Sequence, residues 1–306
     1  MRIIVLGSAA GGGFPQWNCN CSNCRRSRSG DAAAKPRTQC SLAVSADGEC
    51  WFLLNASPDL RQQLAATPAL HPVPGSQRHS PIEAVVLTNG DIDHVAGLLS
   101  MREGHAFSIY ATRRILAVLG ENPVFDALDR DLVDRRPASL GKPIALGDRL
   151  TLELFAVPGK VPLYLEEGSP TIGAETEDVV GVRVEEKDGS SFFFVPGCAA
   201  LTPSLAKRLT GAAVVLFDGT LWQDDEMVQL GIGSKTGQRM GHMSVSGRAG
   251  SLAAFAGLGI GRKIYIHINN TNPILLDDAP ERAAVAAAGW EVGYDGMEIE
   301  LPCPAP

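Results

Sequence analysis

The sequence predicts an α+β fold of four layers: two packed β-sheets with helices on their outer faces, an αβ/βα sandwich. Three observations carry this expectation. Strand-like apolar runs alternate with helical patterns along the chain. The alternation occurs in two similar halves. No Pro/Ser-rich linker divides them, so residues 1–306 read as one domain.

The elements follow in order. Residues 2–6 are apolar and β-branched and end in Gly7-Ser8-Ala9-Ala10-Gly11-Gly12-Gly13. That glycine run lacks the Lys-Ser/Thr of a P-loop and the Gly-x-Gly-x-x-Gly spacing of a dinucleotide site. It reads as a tight turn with close backbone approach. Residues 41–44 and 49–55 pair as strands around Ser45-Ala46-Asp47-Gly48. Residues 58–66 form a helix with Ser57 as N-cap and Pro58 at its first position. Residues 84–87 are a strand, 93–101 a helix, 108–111 a strand and 113–119 a helix. In the second half, 150–157, 179–184, 191–195 and 213–217 are strands, with a Thr202-capped helix through Leu209. A helix over 246–258, a strand over 263–268, a helix over 280–288 and a strand near 297–301 complete the chain. Residues 137–142 and 158–176 are the loop-rich stretches, and loops on rigid scaffolds carry function.

Composition excludes several classes. Hydrophobic residues are 45% and charged residues 20%, ordinary for a globular protein. Net charge is −7, and no basic tract extends beyond Arg25-Arg26 and Arg28, so nucleic acid is not an expected partner. The longest apolar runs fall short of the ~20 residues of a membrane span. The apolar part of Met1-Arg2-Ile3-Ile4-Val5-Leu6-Gly7 is too short for a signal peptide, and the cytoplasm is the expected compartment.

Seven cysteines are present, and Cys19, Cys21 and Cys24 cluster, while Cys40, Cys50, Cys198 and Cys303 are scattered. In a cytosolic protein such clustering favours a metal over disulfides. Thiolates at i, i+2 and i+5 converge on one ion, and a closed structural Zn²⁺ site asks for a fourth ligand, most simply a histidine. A second cluster is Thr88-Asn89-Gly90-Asp91-Ile92-Asp93-His94, at the end of an apolar strand. Asp93 and His94 read as metal ligands. Asn89 and Asp91 read equally as turn formers and helix caps. Further candidates are Asp218 at the end of an apolar strand, His242 in Met240-Gly241-His242-Met243, where it opens a helix, and His267 in His267-Ile268-Asn269-Asn270-Thr271-Asn272-Pro273. His267 ends an apolar strand, which turn formation does not explain. His71, His79 and His105 lie in loops and read as solvated.

Several segments together carry a resemblance. Gly7 through Cys21, Asn55-Ala56-Ser57-Pro58-Asp59, Phe217-Asp218-Gly219-Thr220-Leu221-Trp222 and the His267 string resemble the coenzyme PQQ synthesis protein B family, a branch of the metallo-β-lactamase superfamily. The resemblance implies the four-layer sandwich of that superfamily. Hydrolases of the superfamily read Thr-His-x-His-x-Asp-His where this chain has Asn89 and Asp91 in place of the first two histidines. Val157-Pro158-Gly159-Lys160 stands where a third histidine is expected, and Gly197-Cys198 where a metal-bridging aspartate is expected. These departures imply one metal with open positions rather than a two-metal hydrolase.

By the same resemblance, Cys19, Cys21 and Cys24 would hold a structural Zn²⁺ with His267 as the candidate fourth ligand. His267 also aligns with an active-site ligand, and it cannot readily serve both sites. The active-site metal implied is Fe²⁺, held by Asp93, His94 and either His242 or His267, with Asp91 and Asp218 close by. His242 or Asp218 would move protons. The implied role is in making pyrroloquinoline quinone (PQQ): O₂-dependent hydroxylation of the tyrosine ring in a precursor cut from a Glu/Tyr-containing peptide, alongside other PQQ biosynthesis proteins. A non-catalytic carrier of PQQ or its precursor, and a residual metal-dependent hydrolase, are the alternatives.

Overall fold

Fourteen strands form two seven-stranded sheets in a computed structural model that describes residues 1–168 and 171–301. Cys303 therefore lies outside the described residues. In the first sheet, β1 (Arg2–Gly7), β2 (Ser41–Ser45), β3 (Trp51–Leu54), β4 (Ile82–Val86), β5 (Phe107–Ala111) and β6 (Val133–Pro137) lie in sequence order. The second contains β7 (Ile144–Leu146), β8 (Leu150–Gly159), β9 (Ala174–Glu186), β10 (Ser191–Val195), β11 (Val214–Asp218), β12 (Arg262–Ile266) and β13 (Trp290–Val292). The last strand, β14 (Met297–Glu300), returns to the first sheet and pairs antiparallel with β1.

The two sheets share one design. In each, three antiparallel pairings are followed by three parallel ones: β3, β4, β5 and β6 in the first, β10, β11, β12 and β13 in the second. A strand buried on both faces reads as a continuous apolar run, as β11 does up to Asp218. Alternation sorts their side chains. Phe192, Phe194, Leu216, Ile264 and Ile266 join the core that also holds Val5, Leu42, Leu53 and Val85 of the first sheet. Phe193, Val195, Val215, Phe217 and Tyr265 face the other way, into a cluster with Leu205, Phe255 and Trp290. Asp218 shares parity with Leu216. It therefore points toward the seam between the sheets, where the carboxyl ends of the parallel strands gather.

Three helical expectations need correction. The helix expected over 58–66 is Leu60–Ala66; Pro58 and Asp59 form a turn, and Ser57 bonds Gln63 instead of capping. The segment 93–101 splits into one α-turn, Ile92–Val95, and a 3₁₀ run, Ala96–Met101. Gly97 explains the change, because a Cβ there would lie 2.1 Å from the Ser57 carbonyl oxygen. Of 246–258, only Ser251–Ala254 is α-helical. The helix after Thr202 forms as expected over Pro203–Leu209, and the Thr202 side chain accepts from the Leu205 amide. Among the described residues, no helix is long and apolar enough to cross a membrane.

Candidate metal centres

The loop after β4 is held from outside. Asn55, at the end of β3 with φ +64°, donates from Nδ2 to the Thr88 hydroxyl (2.9 Å), and its Oδ1 accepts from the Thr88 amide (2.9 Å). The Ala56 amide donates to the His94 carbonyl (2.8 Å). These bonds fix both ends of the Asn89–His94 turn. Within it, the Asn89 side-chain oxygen accepts from the Asp91 amide (2.9 Å) and meets Nδ1 of His94. Asn89 is thus the group that orients His94.

That contact decides the tautomer. Asn89 Oδ1 already accepts from an amide, so Nδ1 of His94 carries the proton it shares with Asn89, and Nε2 keeps a lone pair. His94 Nε2 is buried and has no hydrogen-bond partner. Burial pushes the imidazole down to about 4, keeping it neutral. Native proteins rarely leave a buried polar atom unmet. The Nε2 atom lies with a carboxylate oxygen of Asp93 and a ring nitrogen of His267, all within 4.8 Å of one another.

His267 reaches this point because its backbone is left-handed, with φ +53°. A non-glycine residue in that region is strained, and such strain clusters at functional sites. Its Nε2 meets Asp93 Oδ2 at 3.0 Å, and its Nδ1 meets the Thr220 hydroxyl at 2.8 Å. Burial works against a charged His267, but the Asp93 carboxylate outweighs it and raises the imidazole. Burial likewise opposes ionisation of Asp93, yet His94 and His267 hold it well below the usual carboxylate range.

Asp218 is completely buried and saturated. Its oxygens accept from the Cys198 amide (2.9 Å), the Thr220 amide (3.0 Å), the Thr220 hydroxyl (2.6 Å) and His242 Nδ1 (2.6 Å). It also lies within 4.8 Å of His242 and His267. These bonds orient His242 and Thr220, and the same carboxylate forms a second candidate ligand group with His242 and His267. Asp91 lines the same cleft but belongs to neither convergent group. Burial, then the nearby Asp93, raises its carboxyl. His242 does not open a helix: it follows Gly237–Met240 and the left-handed Gly241.

The cleft encloses about 400 Å³ and is lined by Asp93, His94, His242 and His267 together with Leu163, Met227, Met240, Lys160 and Lys235. Gly11 borders Asp93 so closely that a Cβ would touch its carboxyl at 3.5 Å. The glycine run after β1 turns through left-handed Gly12 and Gly13, and a Cβ at Gly13 would lie 3.3 Å from the Arg37 carbonyl oxygen.

The second centre is the thiol loop. Cys19, Cys21 and Cys24 bring their sulfurs within 4.8 Å of one another. No histidine joins them among the described residues. His267, expected as the fourth ligand, is turned into the cleft and spent on Asp93 and Thr220. Three residues later, Asn270 takes that place: its Nδ2 lies 3.1 Å from Cys19 Sγ, 3.3 Å from Cys24 Sγ and 3.7 Å from Cys21 Sγ. The Asn23 side chain, on the helix Ser22–Arg28, donates to the Thr271 carbonyl (2.9 Å) and ties loop and stretch together. Asn89, Thr220 and Asn270 are the site residues to which sequence reasoning gave no such part. Their signal was amides and hydroxyls placed between candidate ligands at strand ends.

This fold, with metal-type clusters on loops at the carboxyl ends of its strands, defines a β-lactamase superfamily domain, whose family model matches residues 50–268. Within it, the chain belongs to the coenzyme PQQ synthesis protein B family. It is 57% identical to the coenzyme PQQ synthesis protein B of Methylobacterium nodulans, over 98% of this chain and 100% of that one. It matches the crystal structure of Zn²⁺-bound PqqB from Methylobacterium extorquens with a TM-score of 0.96 and 53% identity, over 98% of this chain and 100% of that one. A diphosphatase of the PhnP family shares the fold at TM-score 0.70 and 21% identity, over 99% of each chain.

Proposed function

We propose that this protein hydroxylates the tyrosine ring of a Glu/Tyr-derived precursor during PQQ biosynthesis in the cytoplasm, using O₂ and a ferrous ion held by Asp93, His94 and His267. The observation that carries this reading is the unmet, buried Nε2 of His94 beside Asp93 and His267. Two imidazoles and one carboxylate are the donor set that suits non-haem iron and leaves positions for other ligands. When bound, the ion would supply the O₂ and one-electron chemistry that side chains lack. The reaction balances as ring C–H plus O₂, two electrons and two protons giving C–OH and water, with the electrons from an external reductant.

The chain's own residues do the rest. Asn89 holds His94 in the tautomer that presents Nε2. Asp218 accepts from His242 Nδ1 and so leaves His242 Nε2, on the cleft wall, to take the phenol proton and return it. Leu163, Met227 and Met240 give the ring apolar contacts along the cleft wall. Cys19, Cys21 and Cys24 would hold Zn²⁺ as a structural staple. Amide oxygen and nitrogen are interchangeable in assignment, so a flipped Asn270 would present Oδ1 as its fourth ligand.

The test is direct. Iron-loaded protein is incubated under air with a Glu–Tyr-linked substrate and ascorbate, and the product is weighed by mass spectrometry. The expected result is a gain of one oxygen that Asp93→Ala and His94→Ala both abolish. No gain ends the reading. Tight PQQ binding that survives both substitutions, without turnover, would make the protein a carrier instead.

A further inference from the structure

A group of charges on the cleft wall has no part in the chemistry above. Glu166 is buried, with 8% of its side chain exposed, and meets three cations: Lys160 Nζ at 2.9 Å, Arg239 at 2.8 Å and Lys235 at 3.8 Å. The Arg239 guanidinium and then Lys160 hold its carboxyl down to about 2, so it is always charged near neutral pH. Three cations meet this one carboxylate, and Asp91, on the same cleft wall and within electrostatic reach of Lys160, offsets part of the remaining positive charge. Lys160 is itself 9% exposed, and its ammonium has a third donor beyond Glu166 and the Val161 carbonyl (3.2 Å). Lys160 is the desolvated member of the three, and a buried ammonium is costly unless anions complete it.

Position says where that anion belongs. Lys160 and Lys235 both line the cleft that holds Asp93, His94 and His267, while Arg239 and Glu166 are joined behind them by two hydrogen bonds of 3.2 and 2.8 Å. Leu163, Met227 and Met240 are the apolar part of the lining, and Asp91 stands on the same wall. An apolar wall, a donor set on one side and two ammonium groups on the other match a ring that bears carboxylates.

We propose that Lys160 and Lys235, braced by Glu166 and Arg239, form a carboxylate-binding subsite that selects an anionic aromatic amino-acid substrate and anchors it by its acid groups. Glu166 sets the geometry and prevents the cations from splaying apart. Lys235, 35% exposed, is the member that moves to meet the ligand. The inference rests on the reading of the cleft as a substrate site, but its test needs no turnover.

The probes are the dipeptide Glu-Tyr and its diamide, titrated calorimetrically against the metal-loaded full chain. The diacid should bind more tightly than the diamide, and the preference should shrink with added salt. Lys235→Met should weaken the diacid roughly tenfold, equivalent to ~1.4 kcal/mol, and leave the diamide unchanged, while Lys235→Arg retains most of the affinity. Lys235 is half-exposed, so the variant should fold, which its thermal midpoint verifies. Equal binding of diacid and diamide, an equal loss of both in Lys235→Met, or no diacid binding at millimolar concentration would each overturn the subsite. The charge signature without hydroxylation leaves the subsite standing and removes the hydroxylase; hydroxylation without the signature does the reverse.

Discussion

The thiol loop and the cleft are closed by the same stretch of chain, yet their chemistry diverges. His267 and Asn270 are three residues apart. The first is bent by its left-handed backbone into the cleft beside Asp93, and the second reaches the three cysteine sulfurs. The thiol loop is a closed knot of soft donors; Cys24 is fully buried, and burial pushes its thiol up to about 11. The cleft offers hard and borderline donors around an unmet nitrogen and opens onto a cavity of about 400 Å³. A closed set of donors favours structure, and an open one favours catalysis. The difference teaches that one short stretch can serve two donor clusters of different chemistry without sharing a side chain between them.

The strongest way to break this comparison is to remove a cleft donor. Asp93→Ala or His94→Ala should lower hydroxylation at least a hundredfold and bring iron per chain near zero, with zinc unchanged by elemental analysis; removing even an outer partner of a ligand costs 10–100-fold. Loss of both metals together would show that the two centres are coupled and the comparison is wrong. Asp218→Asn comes next. It should cost roughly a hundredfold in turnover, within the range of general acid–base catalysis, while iron content stays at the wild-type level. If iron leaves as well, Asp218 is a ligand after all.

A paired measurement sharpens the comparison. Asn89→Ala should weaken iron about tenfold by releasing His94, and Asn270→Ala should weaken zinc by a similar factor. Each variant should leave the other metal in place under graded chelation. A change in zinc affinity in Asn89→Ala would mean that the amides do not act locally.

Much of this was legible in the sequence because it rests on local rules. The alternation over 150–157, the apolar run ending in Asp218 and the cysteine spacing each state their own structure. Which of two sites His267 serves was not legible, since nothing in the sequence states a backbone angle of +53°. Nor was Asn89 legible as an orienter. Its choice between capping and ligation depends on where the His94 ring falls, five residues on, after Ile92–Val95 coils. The failed helix over 246–258 has a similar cause. Gly247 sits at φ +84° and turns the chain left-handed, so the helix starts only after Gly250.

The smallest expected effect concerns the cation cluster, which belongs to the cleft alone. Glu166 has an ordinary value of 4.5 and is held near 2 by Arg239 and Lys160. A carboxyl depressed on folding adds stability that is present in full above its unfolded value and is lost as pH falls through the folded one. Wild-type protein should therefore exceed Glu166→Gln in unfolding free energy at pH 7 by about 1 kcal/mol, a modest figure because Arg239 and Lys235 are part-exposed and screened. The gap should narrow between pH 4.5 and about 2, the window that the shift defines. Urea unfolding of both proteins at pH 7, 4.5 and 3 measures it. A gap that stays constant with pH would assign the loss to packing rather than charge. Zinc retention should match in the two proteins at pH 7, since no member of the cluster touches the thiol loop; a difference there would join the two regions that the fold keeps apart.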